Sequence, residues 1–299
     1  MKAMGTFILI LVASVVGFLA LGALGFVSAL RPIRIVSDET PASLGWHYQE
    51  LTLVTEDGIS LAAWYVPAEG KGLEDPADAA IIVLHGYGYD KGNVLPVTQF
   101  LHTQFPLLLI DFRYFGRSQG SISTAGYREV KDLLAGIVYL KGRGIKRVGV
   151  FGFSLGASVA LMSLPAAPEV GAVVADSAYA DLEVMANAFY RNLYILKYPL
   201  AAVTSGLARA VFGKSLKEIS AVKAVAATQV PILLIHSSKD DQIGVENFFL
   251  LQKQLEARPN SQSWLVDDAT HGLIHFLHQA EYERRVLRFF LKHLLEMED

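Results

Sequence analysis

Residues 152–156 read Gly-Phe-Ser-Leu-Gly, a serine flanked two residues to either side by glycine. The apolar run "KRVGVF" stands before it and the helix-like run "LGASVALMSL" after it. A serine on a sharp strand-to-helix turn has its hydroxyl exposed, provided that nearby side chains are tiny. Gly152, Gly156 and Ala157 meet that condition. The helix start also places backbone N–H groups beside the serine, where an oxyanion would form, and the N–H of Leu155 is one candidate donor. A serine hydroxyl is a weak nucleophile and needs a base that is itself oriented by a carboxylate. Asp240 follows the apolar run in "ILLIHSSKDD", and His271 follows that in "WLVDDATHG". Ser154, Asp240 and His271 thus each fall at the end of an apolar run, in that order along the chain.

Other residues compete for these roles. Asp241 adjoins Asp240, and Asp176 ends the run after the serine, so both are rival acids. Asp267 and Asp268 share the strand exit with His271 and read as turn residues. His275 and His278 enter the last helix and read as surface or packing histidines. In "VLHGYGYDKGN" (83–93), Gly86 and Gly88 allow a close backbone approach, and the N–H of Tyr87 is the second oxyanion candidate. His85 precedes that turn and reads as a buttress of the loop. Asp111, Arg113 and Arg117 in "DFRYFGRSQGS" are expected to form a structural ion-pair network at that strand exit, with binding of an anionic substrate group as the less favoured alternative.

The elements that must position these groups alternate in type. Residues 51–68 read as two strands joined at Asp57-Gly58. "AAIIVLHG" and "FPLLLID" are unbroken apolar runs, as strands covered on both faces require. Apolar residues at helical spacing fill 125–142, and Gly142 and Gly144 mark the end. Strand, helix and strand then follow in turn to a final amphipathic helix. This alternation predicts one doubly wound, mostly parallel α/β domain over 35–299. Residues 180–228 interrupt it, and about fifty residues between core strands is far more than a short connection. They are expected to form a helical lid, with Pro199 breaking the helical pattern.

Thr6–Leu30 contains no charged residue. Its length of about 25 exceeds both the roughly 20 residues that span a bilayer and the 7–15 of a secretory signal. A retained single-pass anchor over 1–34 is expected, although Val27-Ser28-Ala29 would satisfy a cleavage site. Basic residues nearly balance across the segment, and an extracytoplasmic catalytic domain is the preferred orientation. The net charge of −3 makes no case for nucleic acid. The absence of cysteine excludes disulfides and thiolate chemistry.

The stretches "LHGYGYDKGN", "DFRYFGRSQG", "GFSLGAS", "DSAYADL", "PILLIHSSKDDQI" and "DATHG" together resemble the α/β-hydrolase superfamily. Within it, they resemble the serine-aminopeptidase-like and BEM46-like group, over about residues 48–295. The resemblance maps the nucleophile onto Ser154 and the histidine onto His271. Its H-G-x-x-D-x-x-V-P pattern falls on His236–Gly244 and selects Asp240 over Asp241. Ser237 stands where that pattern has glycine, and Gly244 where it has proline. No metal or cofactor is implied. The expected activity is hydrolysis of a carboxylic ester, with a small-molecule or lipid acyl ester as substrate. The alternatives are a peptidase or amidase of the same fold, or a non-catalytic hydrolase-fold interaction module.

Overall fold

A computed structural model describes residues 2–297. Eight strands form one sheet in the order β1-β2-β4-β3-β5-β6-β7-β8. They are β1 (Gln49–Val54), β2 (Ser60–Val66), β3 (Ala79–Leu84), β4 (Leu107–Ile110), β5 (Arg147–Phe153), β6 (Val170–Asp176), β7 (Ile232–Ser237) and β8 (Gln262–Val266). β2 runs antiparallel to β1 and β4, and every other pairing is parallel. β3, β4 and β7 are buried at every position, which is why they read as unbroken apolar runs. Each Ile, Leu or Val buried there contributes about 1.5–3 kcal/mol.

Two cores cover the faces of the sheet. On one, α2 (Glu129–Gly142) and α3 (Leu155–Ser163) bury Leu133, Ile137, Leu140 and Leu161. On the other, α8 (Gln279–Leu295) buries Tyr282, Val286, Phe289, Phe290 and Leu294. The parallel arrangement places the carboxyl ends of β3, β5, β7 and β8 on one edge, so the loops carrying Tyr87, Ser154, Asp240 and His271 open on the same side.

Between β6 and β7 the chain forms α4 (Leu182–Phe189), α5 (Lys197–Phe212) and α6 (Ala221–Ala226). Pro199 does not break this insertion. It lies in the first turn of α5, where its missing N–H has no intrahelical partner to lose. α2 starts at Glu129, later than the spacing indicates, because 125–128 fold as a turn and Ser123, Thr124 and Gly126 donate to the buried Glu129 carboxylate. Helix α7 (Glu246–Gln252) is likewise shorter than the apolar pattern of its segment.

At the N-terminus, α1 spans Lys2–Leu30. Its stretch Met4–Leu30, which holds an 18-residue window of mean hydropathy 2.8, is long and apolar enough to cross a membrane. Its last turns pack on the domain: Gly22, Phe26 and Leu30 are buried at four-residue spacing, and Leu30 O accepts the N–H of Ser123 at 2.8 Å. The strap that follows is pinned by Arg34 Nε to Gly116 O at 2.6 Å. The Ser37 N–H and hydroxyl also bind the Asp90 carboxylate, at 2.8 and 2.9 Å.

Candidate active site

Ser154 lies on the turn between β5 and α3 at φ 54° and ψ −113°, a conformation that L residues rarely adopt. The two glycines of the motif explain how it is tolerated. A Cβ at Gly152 would run into the Gly156 backbone, and one at Gly156 would run into the carbonyl oxygens of Leu84 and His85. The Ser154 N–H donates to Asp176 O at 2.8 Å, which ties the turn to β6.

The structure brings three of the sequence-selected side chains into one line. His271 Nε2 lies 3.1 Å from Ser154 Oγ, and His271 Nδ1 lies 2.7 Å from Asp240 Oδ2. The Asp240 side chain is fully buried. Its second oxygen, Oδ1, accepts the N–H groups of Gln242 and Ile243 at 2.9 and 2.7 Å. Burial raises the Asp240 pKa, but hydrogen bonding and charge from His271, together with those two N–H donors, outweigh it. The carboxyl is held below its ordinary value. Ser237 and Gly244, the two departures in this loop, leave the carboxylate within reach of His271.

The rivals are engaged elsewhere. Among the described residues, Asp241 accepts only the backbone N–H of His271, at 3.2 Å. Asp176 binds the Tyr282 and Ser177 hydroxyls at 2.7 and 2.9 Å, and burial pushes its pKa up. His275 pairs with Glu283 and His278 with Asp268. His85 is buried, and burial pushes its pKa down. Its Nδ1–H donates to Gly86 O at 2.7 Å and its Nε2 accepts the Phe112 N–H at 3.0 Å, so it props the Tyr87 loop.

Two of the three charged residues at the exit of β4, Asp111 and Arg113, form structural ion pairs, and the third, Arg117, does not join them through its side chain among the described residues. Asp111 pairs with Lys91 at 2.6 Å, Arg113 pairs with Asp57 and Asp132, and Arg117 contributes only its backbone N–H to Asp111. Lys91, Asp57 and Asp132 come from three other segments, which the spacing within 111–117 does not reveal.

The N–H groups of Tyr87 and Leu155 make no hydrogen bond within the described residues. Tyr87 is also tied through its hydroxyl to Ala29 O of α1 at 2.6 Å, a contact between distant segments that carries no sequence signature. A cavity of about 260 Å³ adjoins His271, lined by Val94, Val97, Phe151, Phe153, Leu273 and Phe276 among others. Among the described residues, no group of three or more His, Asp or Glu side chains is gathered to hold a metal ion.

A model of the prolyl oligopeptidase family matches residues 119–296, more than half of the chain. The chain belongs to the prolyl oligopeptidase family. It is similar to the Pyrococcus furiosus esterase Pf2001, with a TM-score of 0.72 and 27% identity, over 89% of this chain and 98% of that one. The uncharacterized protein YqkD of Bacillus subtilis is 26% identical over 215 residues, 70% of each chain. The α/β hydrolase domain-containing protein WAV2 of Arabidopsis thaliana is 25% identical over 245 residues, 76% of this chain and 73% of its own. The α/β-hydrolase fold and the likeness to the BEM46-like group are thereby borne out. The chain is a serine hydrolase, an esterase or a peptidase.

Proposed function

We propose that the protein is a membrane-anchored serine hydrolase that cleaves acyl esters through Ser154, His271 and Asp240. The observation that carries this reading is the continuous line from Ser154 Oγ through the His271 ring to the buried Asp240 carboxylate, at 3.1 and 2.7 Å. His271 Nε2 takes the Ser154 proton as Oγ attacks the acyl carbonyl. Asp240, kept ionised, holds the proton on Nδ1 and stabilises the imidazolium. The Tyr87 and Leu155 N–H groups receive the oxyanion, His271 returns its proton to the leaving alcohol, and an activated water then releases the acid.

An apolar ester fits the surroundings. The cavity beside His271 is walled mainly by aliphatic and aromatic side chains, and α1 holds the domain at a bilayer through residues 6–30, with the insertion 180–228 as a lid. Amide hydrolysis is the second reading, favoured by the match to a peptidase family.

The test is labelling with a fluorophosphonate, comparing the native chain with Ser154→Ala and His271→Ala. Labelling of the native chain alone supports the reading. No labelling of folded native protein, or labelling that survives in Ser154→Ala, overturns it. Paired acyl p-nitrophenyl ester and acyl-peptide anilide substrates then separate esterase from peptidase.

A further inference from the structure

A second apolar cavity lies where α1 meets the insertion. About 190 Å³ lies in a part-open pocket between Gly25, Phe26 and Ala29 of α1 and Leu182, Met185, Ala186 and Phe212 of the insertion. The close approach depends on Gly22, where a Cβ would stand 2.9 Å from Val203 Cγ1 of α5. Phe26 then meets Phe212 at a ring separation of 5.9 Å. Two of the lining polar groups, the Tyr190 and Thr204 hydroxyls, bond each other at 2.8 Å. An apolar space of roughly 150 Å³ takes a benzene-sized hydrocarbon. This one suits several methylenes of an alkyl chain.

Two observations say where such a chain would come from. The exposed part of α1, residues 4–21, is about 27 Å long at 1.5 Å per residue, close to the roughly 30 Å of a hydrocarbon core. The cavity is walled by the turns immediately beyond it, so it would open at the bilayer face. Beside it the insertion presents an exposed apolar run, with Tyr194 85%, Ile195 78% and Tyr198 65% exposed. Aliphatic and tyrosine side chains together suit a membrane interface. A third observation ties the cavity to the chemistry. Ala29, in the cavity wall, accepts the hydroxyl of Tyr87, whose own N–H is the proposed oxyanion donor.

We infer that this cavity is the acyl subsite of the enzyme, and that it takes one acyl chain of a bilayer lipid entering between α1 and the insertion. The inference rests on the serine-hydrolase and membrane-anchor reading above. It makes the N-terminal helix part of the substrate site as well as a tether.

The experiment uses the full chain carrying Ser154→Ala in phosphatidylcholine vesicles doped with a diazirine-tailed phosphatidylcholine. Cross-linked peptides are mapped with and without Ala186→Phe, which fills the cavity, and with Gly25→Leu as a second filler from the α1 side. Cross-links at Leu182 and Met185 that are lost on filling are expected. Absence of cross-links there in folded, vesicle-bound protein overturns the inference, as does persistence after filling. This readout needs no turnover, so it stands apart from any failure of the hydrolase reading. In the Ser154-containing enzyme, filling should lower the ratio of dodecanoate to butanoate p-nitrophenyl ester turnover by about tenfold, the transfer preference of roughly two methylenes. An equal fall for both esters overturns the subsite assignment.

Discussion

Replacing Asp240 by Asn separates orientation from mere occupancy, because the two oxygens of that carboxylate have different partners. Oδ1 accepts two backbone N–H groups, from Gln242 and Ile243, whereas Oδ2 faces His271 Nδ1 at 2.7 Å. An asparagine amide can satisfy both backbone donors only with its oxygen at the Oδ1 position. The reverse orientation would leave both N–H groups facing an NH2, at about 1–3 kcal/mol for that of buried Ile243. The NH2 must therefore point at Nδ1 and donate to it, so the imidazole proton moves to Nε2. Nε2–H, 3.1 Å from Ser154 Oγ, can no longer accept the serine proton. A tautomer error of this kind lowers kcat by about 10⁴-fold in a serine triad, or about 5.5 kcal/mol. The assay is the rate of fluorophosphonate labelling together with ester turnover, with thermal unfolding to show that the fold is kept. The neighbouring Asp241→Asn should retain activity to within about threefold, since its amide oxygen can still accept the His271 N–H. A loss of less than tenfold in folded Asp240→Asn, or the large loss in Asp241→Asn instead, would refute the argument.

Two further outcomes follow from backbone and burial. The positive φ of Ser154 stores about 1–3 kcal/mol of strain, of which glycine's extra unfolded-state entropy offsets about 0.5–1. Ser154→Gly should accordingly be more stable than Ser154→Ala by about 1 kcal/mol in urea unfolding, and equal stabilities would show that the turn is unstrained. His85 is held neutral by burial, with its pKa below its ordinary 6.5. Below that value the unfolded chain binds a proton that the native chain does not, so stability is full above about pH 6.5 and falls with acidification. His102 and His293, also lowered by burial, add to the same trend. Asp132, raised to about 7 by burial, titrates in the same window with the opposite sign, so the test is the difference between variants. From about pH 8 to pH 5.5 the urea midpoint of His85→Asn should fall less, or rise more, than that of the native chain, and identical pH dependences would contradict the buried-neutral assignment.

The sequence alone determined the parts whose causes are local. Gly152 is required by a clash within five residues, with the Gly156 backbone, whereas Gly156 answers to the distant end of β3; "AAIIVL" and "ILLI" are unbroken because both faces of those strands are covered. The order Ser154, Asp240, His271 was legible for the same reason, since each follows its own strand and parallel strands end on one edge. What only the tertiary structure decided depends on which distant groups meet. Asp176 also ends a strand and was an open rival on its residues. It is occupied by Tyr282, 106 residues away, and that contact exists only because α8 packs on the back of the sheet. Arg113 finds Asp57 and Asp132 rather than its neighbours in sequence because β1, β2 and α2 converge on the exit of β4. The apolar run at the N-terminus reads as a membrane span from composition, yet no pattern in it announces that its last turns close a cavity with α4 and α5. Hydrophobic periodicity records that a face is covered. What covers it is settled by the sum of contacts across the whole fold.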